Sequence, residues 1–323
     1  MNSNSTSNNG RLPAYGGQAL IEGVLMRGGS YLAAAFRTPD GQIVTKTEEL
    51  SGIYKRKWKD IPFLRGLILL WDALGLGMRY LTISANLQTG EEDKKIDAPV
   101  MFLTVAGSLI LALTLFFVAP ALVGYLLEQF LGINRWMSAL VEGLIRLGAI
   151  IGYIWAIGKV PEIRRVFQYH GAEHKTINAY EAGAELTPVE VAKYSLEHPR
   201  CGTSFVLTLV IFSIILFTLI GPLAPLTRII SRIVLIPILA GIAYEYIRFT
   251  ARHRSNPIIR LLMRPNLALQ HLTTREPDLG MLEVAIQAFN TMLAQEPAPA
   301  HTEFTPPVPG AQVPSGGREY QNR

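Results

Sequence analysis

Two long stretches of the chain contain no charged residue, and they restrict what it can fold into more than any other feature. The first runs from Ala98 to Leu127 and the second from Cys201 to Thr227. Each exceeds the roughly 20 apolar residues that an α-helix needs to cross the hydrocarbon core of a bilayer. With 49% hydrophobic and only 17% charged residues, the sequence predicts a mainly α-helical membrane protein rather than two soluble domains.

Two weaker apolar segments accompany these runs. Trp136 to Gly158 contains Glu142 and Arg146, which are spaced i,i+4 on a helix and can therefore pair. Ile229 to Ile247 carries its charges near its ends, where they are tolerated better than at the bilayer centre. We therefore predict about four transmembrane helices, two in residues 98–158 and two in residues 204–247.

The basic residues predict the orientation of these helices. They crowd the connection between the second and third spans and the segment that follows the fourth: Lys159, Arg164, Arg165, Lys175, Lys193 and Arg200, then Arg248, Arg252, Arg254, Arg260 and Arg264. By the positive-inside rule, both termini and the 159–203 loop face the cytoplasm. Topology thus accounts for the net charge of +5, and no specific DNA binding is expected.

The N-terminal region has the pattern of a small β-rich cytoplasmic domain over residues 13–60. Residues 1–12 are polar and predicted to be disordered. Strands are predicted over Gln18 to Met26, Tyr31 to Arg37 and Gln42 to Thr47. The last two are joined by a Thr-Pro-Asp-Gly turn at residues 38–41, in which proline presets φ and glycine supplies a positive φ.

Residues 61–87 are predicted to form an interfacial amphipathic helix. Arg65, Asp72 and Arg79 recur every seven residues and form one polar stripe on an otherwise apolar helix. If this helix spanned the membrane instead, the strand domain would move outside, against the charge rule. At the other end of the chain, residues 248–294 are predicted to form a cytoplasmic helical segment, and Asp278 is expected to cap its last helix, Leu279 to Leu293. Residues 295–323 are predicted to form a disordered tail.

The predicted cytoplasmic loop, residues 159–203, contains the order His-x-x-Glu-His at residues 170–174. A helix from Phe167 to Gly183 places His170, Glu173 and His174 on one face. A second helix begins with a capping box at Thr187 and returns the chain to His198 and Cys201. The loop is therefore predicted to be a helical hairpin that brings these five side chains together.

These side chains predict a zinc site. His170 and His174, with His198 or Cys201, provide three or four nitrogen and sulfur ligands of the kind that Zn²⁺ prefers, and Glu173 is positioned to act as a base on a bound water. Two alternatives remain open: a solvated helix face without metal, and a metal with a purely structural role. Cys201 is the single cysteine, which excludes an internal disulfide.

Four segments, taken in order, resemble the hallmark segments of the bacterial YqhQ family: Gly17 to Gly28, Tyr169 to Lys175, Pro199 to Ser204 and Leu272 to Asp278. The resemblance covers nearly everything from Tyr15 to about Ala294. It implies an uncharacterised multi-pass protein of the bacterial inner membrane, catalogued as a predicted metal-dependent enzyme, whose site corresponds to His170, Glu173 and His174.

The sequence leaves two functional hypotheses. The first is a metal-dependent hydrolase at the cytoplasmic face, acting on an unidentified membrane-associated peptide or lipid headgroup, with membrane lipid as its surroundings. The second is a non-enzymatic scaffold or assembly factor, whose basic segment Lys55 to Lys59 engages a large anionic protein or ribonucleoprotein such as the ribosome. Transport is less favoured because few charges lie deep in the spans. Glu22 would be a further ligand if the Gly17 to Gly28 segment packed against the loop.

Overall fold

A small β-rich region precedes a mainly helical remainder, as predicted from the sequence. This region is a four-stranded antiparallel sheet, whereas three strands were predicted. The computed structural model describes residues 15–50, 61–89, 98–221, 223–253 and 256–297. The strands are β1 (Gly16–Leu20), β2 (Gly23–Arg27), β3 (Tyr31–Arg37) and β4 (Ile43–Glu49). The helices are α1 (Leu64–Thr89), α2 (Ala98–Leu113), α3 (Ala119–Leu131), α4 (Arg135–Ile157), α5 (Pro161–Glu181), α6 (Pro188–Val191), α7 (Gly202–Ile220), α8 (Pro225–Val234), α9 (Ile236–Arg252), α10 (Pro257–Thr273) and α11 (Leu279–Gln295), with a π-helical segment, Thr114–Val118, between α2 and α3.

The sheet is a meander in which each strand pairs with the next, and helices cover both of its faces. Ala33 and Ala35 of β3 pack in the core formed with α5 and α11, whereas Leu32, Ala34 and Phe36 pack toward α1. Because both faces are buried, β3 is an unbroken apolar run instead of an alternating one.

The first predicted strand, Gln18 to Met26, was wrong as a single strand. It is two strands, β1 and β2, joined by a tight turn at Ile21 and Glu22, where Glu22 has a φ of 50°. The turn residues of this hairpin lack the Asn-Gly or Asp-Gly signal of common hairpins, and apolar residues flank the turn on both sides. Periodicity alone therefore could not reveal the turn.

Three helical segments are long and apolar enough to cross a membrane: Phe102–Leu131, which continues from α2 through the π-helical segment into α3, then α4, and then α7. The pair α8 and α9 counts as a fourth span if its two halves are taken together, although they meet at a bend of 41°. The sequence predicted a continuous helix over Ile229 to Ile247. Pro237, which follows the first residue of α9, has no N–H to continue a helical ladder, and this explains the break.

Helix α1 lies against the sheet and against α9. At its N-terminal end, Arg65 pairs with Glu245 near the end of α9, and toward its C-terminal end the Ser84 hydroxyl accepts a hydrogen bond from the backbone N–H of Ile21 at the β1–β2 turn. Trp71, between these contacts, is 77% exposed. The basic segment Tyr54 to Lys59 lies outside the described residues, as do residues 1–12, the part of the C-terminal tail beyond residue 297 and the side chain of Asp72.

The helical hairpin predicted for residues 159–203 is present only in its first arm. Helix α5 starts at Pro161, earlier than predicted, whereas α6 is a single turn capped by Thr187. After that turn the chain runs back along α5 without regular structure, because side chains of α5 take its carbonyl groups: Lys175 donates to Ala192, and Asn178 donates to the carbonyls of residues 195 and 197.

Candidate metal centre

His170, His174 and Cys201 converge at one point between α5 and the start of α7. One ligand atom from each of them lies within 4.8 Å of the other two. The two imidazole rings are 4.4 Å apart between centroids, and the Nε2 atom of His170 is 3.2 Å from the sulfur of Cys201. The one-turn spacing of the histidines brings the rings together, and the returning chain supplies the sulfur.

Hydrogen bonds to backbone carbonyls select the tautomer of both rings. Nδ1 of His170 is 2.9 Å from the carbonyl oxygen of Thr273, and Nδ1 of His174 contacts that of Leu196. A carbonyl oxygen only accepts, so each Nδ1 carries the proton and each Nε2 keeps a lone pair. Histidines that ligate a metal usually donate their other ring N–H to a carbonyl or carboxylate in this way.

His174 has an unusual feature for a buried ring. Its residue is fully buried, yet its Nε2 atom has no hydrogen-bond partner among the described residues. Buried polar atoms without a partner are rare in native structures and call for a physical explanation. A cation bound between the three side chains provides one, and two imidazole nitrogens with one sulfur are donors that suit zinc.

Cys201 occupies the N-cap position of α7. Its sulfur faces the backbone N–H of Thr203 at 3.5 Å and the hydroxyl of the same residue at 3.1 Å. The sulfur is thus held in place at the junction where the loop enters the apolar helix.

His198 lies beside the cluster, with its ring 5.5 Å from that of His174 between centroids, but it is not among the three convergent ligands. Its backbone is clamped by the buried Gln270, whose amide accepts from the N–H of His198 and donates to its carbonyl. Three convergent ligands resemble the open zinc sites of enzymes more than the four-ligand structural sites. The number of ligands, three or four, depends on how close the 198–201 turn holds the His198 ring to that of His174.

The Glu173 carboxylate reaches the sheet and is not among the three convergent ligand residues. It accepts a hydrogen bond from the backbone N–H of Gly17 in β1. Burial raises the pKa of Glu173 to about 7, whereas the nearby His170 and the hydrogen bond from the Gly17 N–H act to lower it. At Gly17 a Cβ atom would be 2.9 Å from Cγ of Glu173, so only glycine allows this approach.

Gly171, inside the His-x-x-Glu-His segment, marks a second close approach. A methyl group at this position would overlap the carbonyl oxygen of Arg275 and lie 2.8 Å from the side chain of Leu196. The N–H of Arg275 in turn donates to the carbonyl of Phe167. The 273–276 loop therefore packs directly on α5 and carries the carbonyl that orients His170.

Several contributors to the centre could not be found from residue chemistry. Thr273 and Leu196 act through their carbonyls, Gly17 acts through its N–H, and Gln270 acts as a brace. Backbone groups leave no residue-type signal. The sequence indicated them only through the family resemblance, in which residues 17–28, 199–204 and 272–278 match together with the histidine segment.

Glu22 is not among the convergent ligands, although the sequence indicated it as a further ligand if the Gly17 to Gly28 segment packed against the loop. The Gly17 to Gly28 segment does pack against α5, but the Glu22 carboxylate pairs with Arg165 at 2.5 and 2.6 Å and accepts from the Tyr169 hydroxyl at 3.2 Å. The hydrogen bond from Arg165 is the main reason why the pKa of Glu22 is lowered. Glu22 thus fastens the sheet to the helix that carries the histidines.

Comparisons with known proteins show the family to which the chain belongs. Residues 61–295 match the model of a family described as a protein of unknown function (DUF1385). The chain is 37% identical over 299 residues to the protein called uncharacterized protein YqhQ from Bacillus subtilis (strain 168), an alignment that covers 88% of this chain and 93% of that protein. No solved structure matches.

Proposed function

This chain belongs to the DUF1385 (YqhQ) family, and we propose that it is a multi-pass protein of the bacterial inner membrane with a zinc site at its cytoplasmic face. The single observation that carries the proposal is the convergence of ligand atoms of His170, His174 and Cys201 within 4.8 Å. The Nδ1–H groups of both histidines donate to backbone carbonyls, which leaves each Nε2 facing the cluster. If the site is catalytic, the activity is hydrolytic, and the substrate is reached from the cytoplasm or the inner leaflet.

The apolar helices support the membrane placement. Their outward side chains are large and apolar, as in Phe102 and Leu219, each 71% exposed, and a bilayer would cover such surfaces. Both termini then lie on the cytoplasmic side together with the 159–203 loop. Helix α1 contacts α9 through Arg65 near its first turn and the sheet through Ser84 near its last turns, and both contacts lie on the proposed cytoplasmic side. This favours an interfacial helix over a fifth span. The exposed Trp71 on its surface is suited to the headgroup layer.

The chemistry of the site follows from its donors. A bound zinc ion supplies Lewis-acid chemistry. Glu173 contributes a buried carboxylate next in sequence to His174, a group of the kind that transfers protons in metal-dependent hydrolysis. The Gly17 N–H holds this carboxylate from the sheet side, so that the strand domain has a role in positioning the proposed base.

Metal analysis of the detergent-purified full chain tests the proposal. We expect about one equivalent of zinc, as in sites built from two histidines and a cysteine, and its loss in the His170→Ala, His174→Ala double variant. His253→Ala, which alters an exposed histidine outside the cluster, is the matched control and should retain the zinc. Absence of metal from the wild-type protein after gentle purification would reject the zinc site.

A conservative variant separates a catalytic metal from a structural one. Glu173→Gln keeps the size of the side chain and can still accept from Gly17, so zinc content and folding should remain at wild-type levels. Cellular function should be lost if Glu173 transfers protons. Full complementation by this variant would indicate a structural metal.

The non-enzymatic scaffold remains the competing hypothesis. Its proposed contact surface, Lys55 to Lys59, lies outside the described residues, so none of the contacts reported above favours it. It would gain support if the wild-type protein contained no zinc and co-purified with a large anionic partner that dissociated steeply with salt.

A further inference from the structure

A groove of about 1060 Å³ lies beside the proposed zinc site, and no element of the function proposed above uses it. One wall is α10, which contributes Arg260, Leu261, Arg264, Leu267 and His271, and the other wall is the chain on either side of His198. Glu197 and Pro199 line the groove, so its inner end lies one residue from a side chain that borders the metal centre.

Two guanidinium groups in the groove, those of Arg260 and Arg264, have no ion-pair partner among the described residues. Arg260 and Arg264 are one helical turn apart and exposed, and no described residue makes an ion pair or a side-chain hydrogen bond with either of them. The other charged pair in the groove neutralises itself, since His271 lies 2.9 Å from Glu197. Two adjacent unpaired guanidinium groups are suited to a phosphate, which they can bind with parallel hydrogen bonds.

The same walls carry apolar surface. Leu261 lines the groove and is 59% exposed, and Leu267 lines it as well. Outside the groove, Ile258 and Leu262 of the same helix are 67% and 50% exposed. Helix α10 begins only a few residues after α9, the last apolar helix. If α9 reaches the cytoplasmic side of the bilayer, as proposed above, α10 lies at the level of the lipid headgroups.

We propose that this groove binds an anionic phospholipid of the inner leaflet, with its phosphate on Arg260 and Arg264 and its acyl chain along Leu261 and Leu267. Basic pockets between helices at the cytoplasmic side of a membrane commonly hold acidic headgroups. The inference rests on the membrane placement proposed above and deepens it, because a lipid held there would present its headgroup next to the zinc site. It does not depend on whether zinc is bound.

Native mass spectrometry of the full chain, released from nanodiscs, tests the assignment. The probe is phosphatidylglycerol, and phosphatidylcholine is the zwitterionic control. We expect a resolved phosphatidylglycerol adduct, and a loss of affinity of about 25-fold in the Arg260→Gln, Arg264→Gln double variant, from roughly fivefold for each arginine removed near an anionic headgroup. The zinc content of this variant should equal that of the wild-type protein.

Two further samples make the result decisive. The variant Arg164→Gln, Arg252→Gln removes the same charge from exposed arginines that do not line the groove, and it should bind phosphatidylglycerol like the wild-type protein. An equal loss in that control, or equal binding of phosphatidylcholine, would overturn the lipid site. Inorganic phosphate that competes at the same concentration as the lipid would also overturn it, in favour of a soluble phosphate. Because zinc is measured in the same samples, failure of the lipid site is distinguishable from failure of the metal site.

Discussion

Two clusters of buried polar side chains differ in whether their members satisfy one another. In the first, Glu142 of α4 is surrounded by three arginines: Arg146, Arg228 and Arg232. Both carboxylate oxygens accept two hydrogen bonds, from nitrogens 2.8 to 3.1 Å away. In the second, the His–Cys cluster, Nε2 of the buried His174 has no hydrogen-bond partner in the described structure.

The arginines of the first cluster have further partners. The π-helical segment leaves the carbonyl of Phe116 available to Arg146, and Arg228 reaches Glu128 and the hydroxyl of Ser138. Arg232 also lies over the ring of Phe217 at 4.1 Å. Arg146 also donates to the hydroxyl of Ser213, and Arg232 donates to that of Ser231, so every guanidinium nitrogen in this cluster has an acceptor. The network joins α3, α4, α7 and α8.

The difference indicates different roles. A saturated network of buried charges is complete in itself and ties helices together, and its members are costly to remove singly. In the His–Cys cluster the lone pair of His174 Nε2 is buried without a partner among the described residues, so this cluster is complete only when something else binds. The first cluster therefore does not favour transport, although it places charges within the apolar helices, whereas the second is suited to a cation.

The largest effect is expected from breaking the saturated cluster. Glu142→Gln leaves the buried guanidinium groups of Arg146 and Arg232 without a countercharge, while Arg228 keeps Glu128, and loss of one partner of a buried ion pair typically costs about 3–5 kcal/mol. Thermal unfolding in detergent should show a large fall in the melting temperature. Glu128→Gln is the control, since Glu128 is at the edge of the network and 16% exposed, and it should cost less. Equal stability of Glu142→Gln and wild type would contradict the structural role.

Adding zinc should affect only the open cluster. A ligand at a hundredfold excess over its Kd stabilises the folded state by about 2.7 kcal/mol. Unfolding of the wild-type protein should shift by about that amount, and His174→Ala should not shift. Glu142→Gln, although less stable, should show the same zinc-dependent shift as the wild type. A zinc shift that persists in His174→Ala would place the metal elsewhere.

A smaller effect is expected from crowding the open cluster. Gly171→Ala introduces a methyl group that overlaps the Arg275 carbonyl, and such overpacking typically costs about 1–3 kcal/mol. Zinc affinity should fall as well, because the displaced loop carries the carbonyl that orients His170. Gly152→Ala in α4, where no atom lies within 4 Å of the added methyl, should be neutral or slightly stabilising. The two alanine variants are compared by chemical unfolding and by zinc titration.

The smallest effect is expected at the partly exposed pair of Glu22 and Arg165, which fastens the sheet to α5. Its contribution is no more than about 1 kcal/mol, because Arg165 is half-exposed. Since the pKa of Glu22 is lowered in the folded state from its ordinary value of 4.5, this stability is present above that ordinary value and is lost as the pH falls through the pKa of the folded protein. Unfolding measured between pH 3 and pH 6 should show a weaker acid dependence in Glu22→Gln, and an unchanged dependence would contradict the assignment.

Local features of the sequence were sufficient for several parts of the fold. The apolar runs predicted the long helices, Thr187 and Asp278 cap helices as expected, and the i,i+4 spacing predicted the pair of Glu142 and Arg146. These features succeed because each depends on residues within about one helical turn or on a single long apolar stretch.

Features that depend on distant segments were not predictable in this way. Arg228 and Arg232 join Glu142 across about 90 residues of sequence. The contact of Glu173 with Gly17 of the sheet depends on a strand about 150 residues away, which helical spacing does not reveal. The arm that returns from α6 is irregular because Lys175 and Asn178 satisfy its carbonyls.

By itself, the sequence determined the long apolar helices, the small β-rich region and the donors of a candidate zinc site, because composition and short spacings specify these. Only the tertiary structure decided which donors converge. It brought Cys201 to the two histidines, left His198 beside them, and selected both tautomers through carbonyls of Thr273 and Leu196. The physical reason is that the lone pairs of a metal site are aimed by backbone groups from remote segments, and their positions follow from packing rather than from residue type.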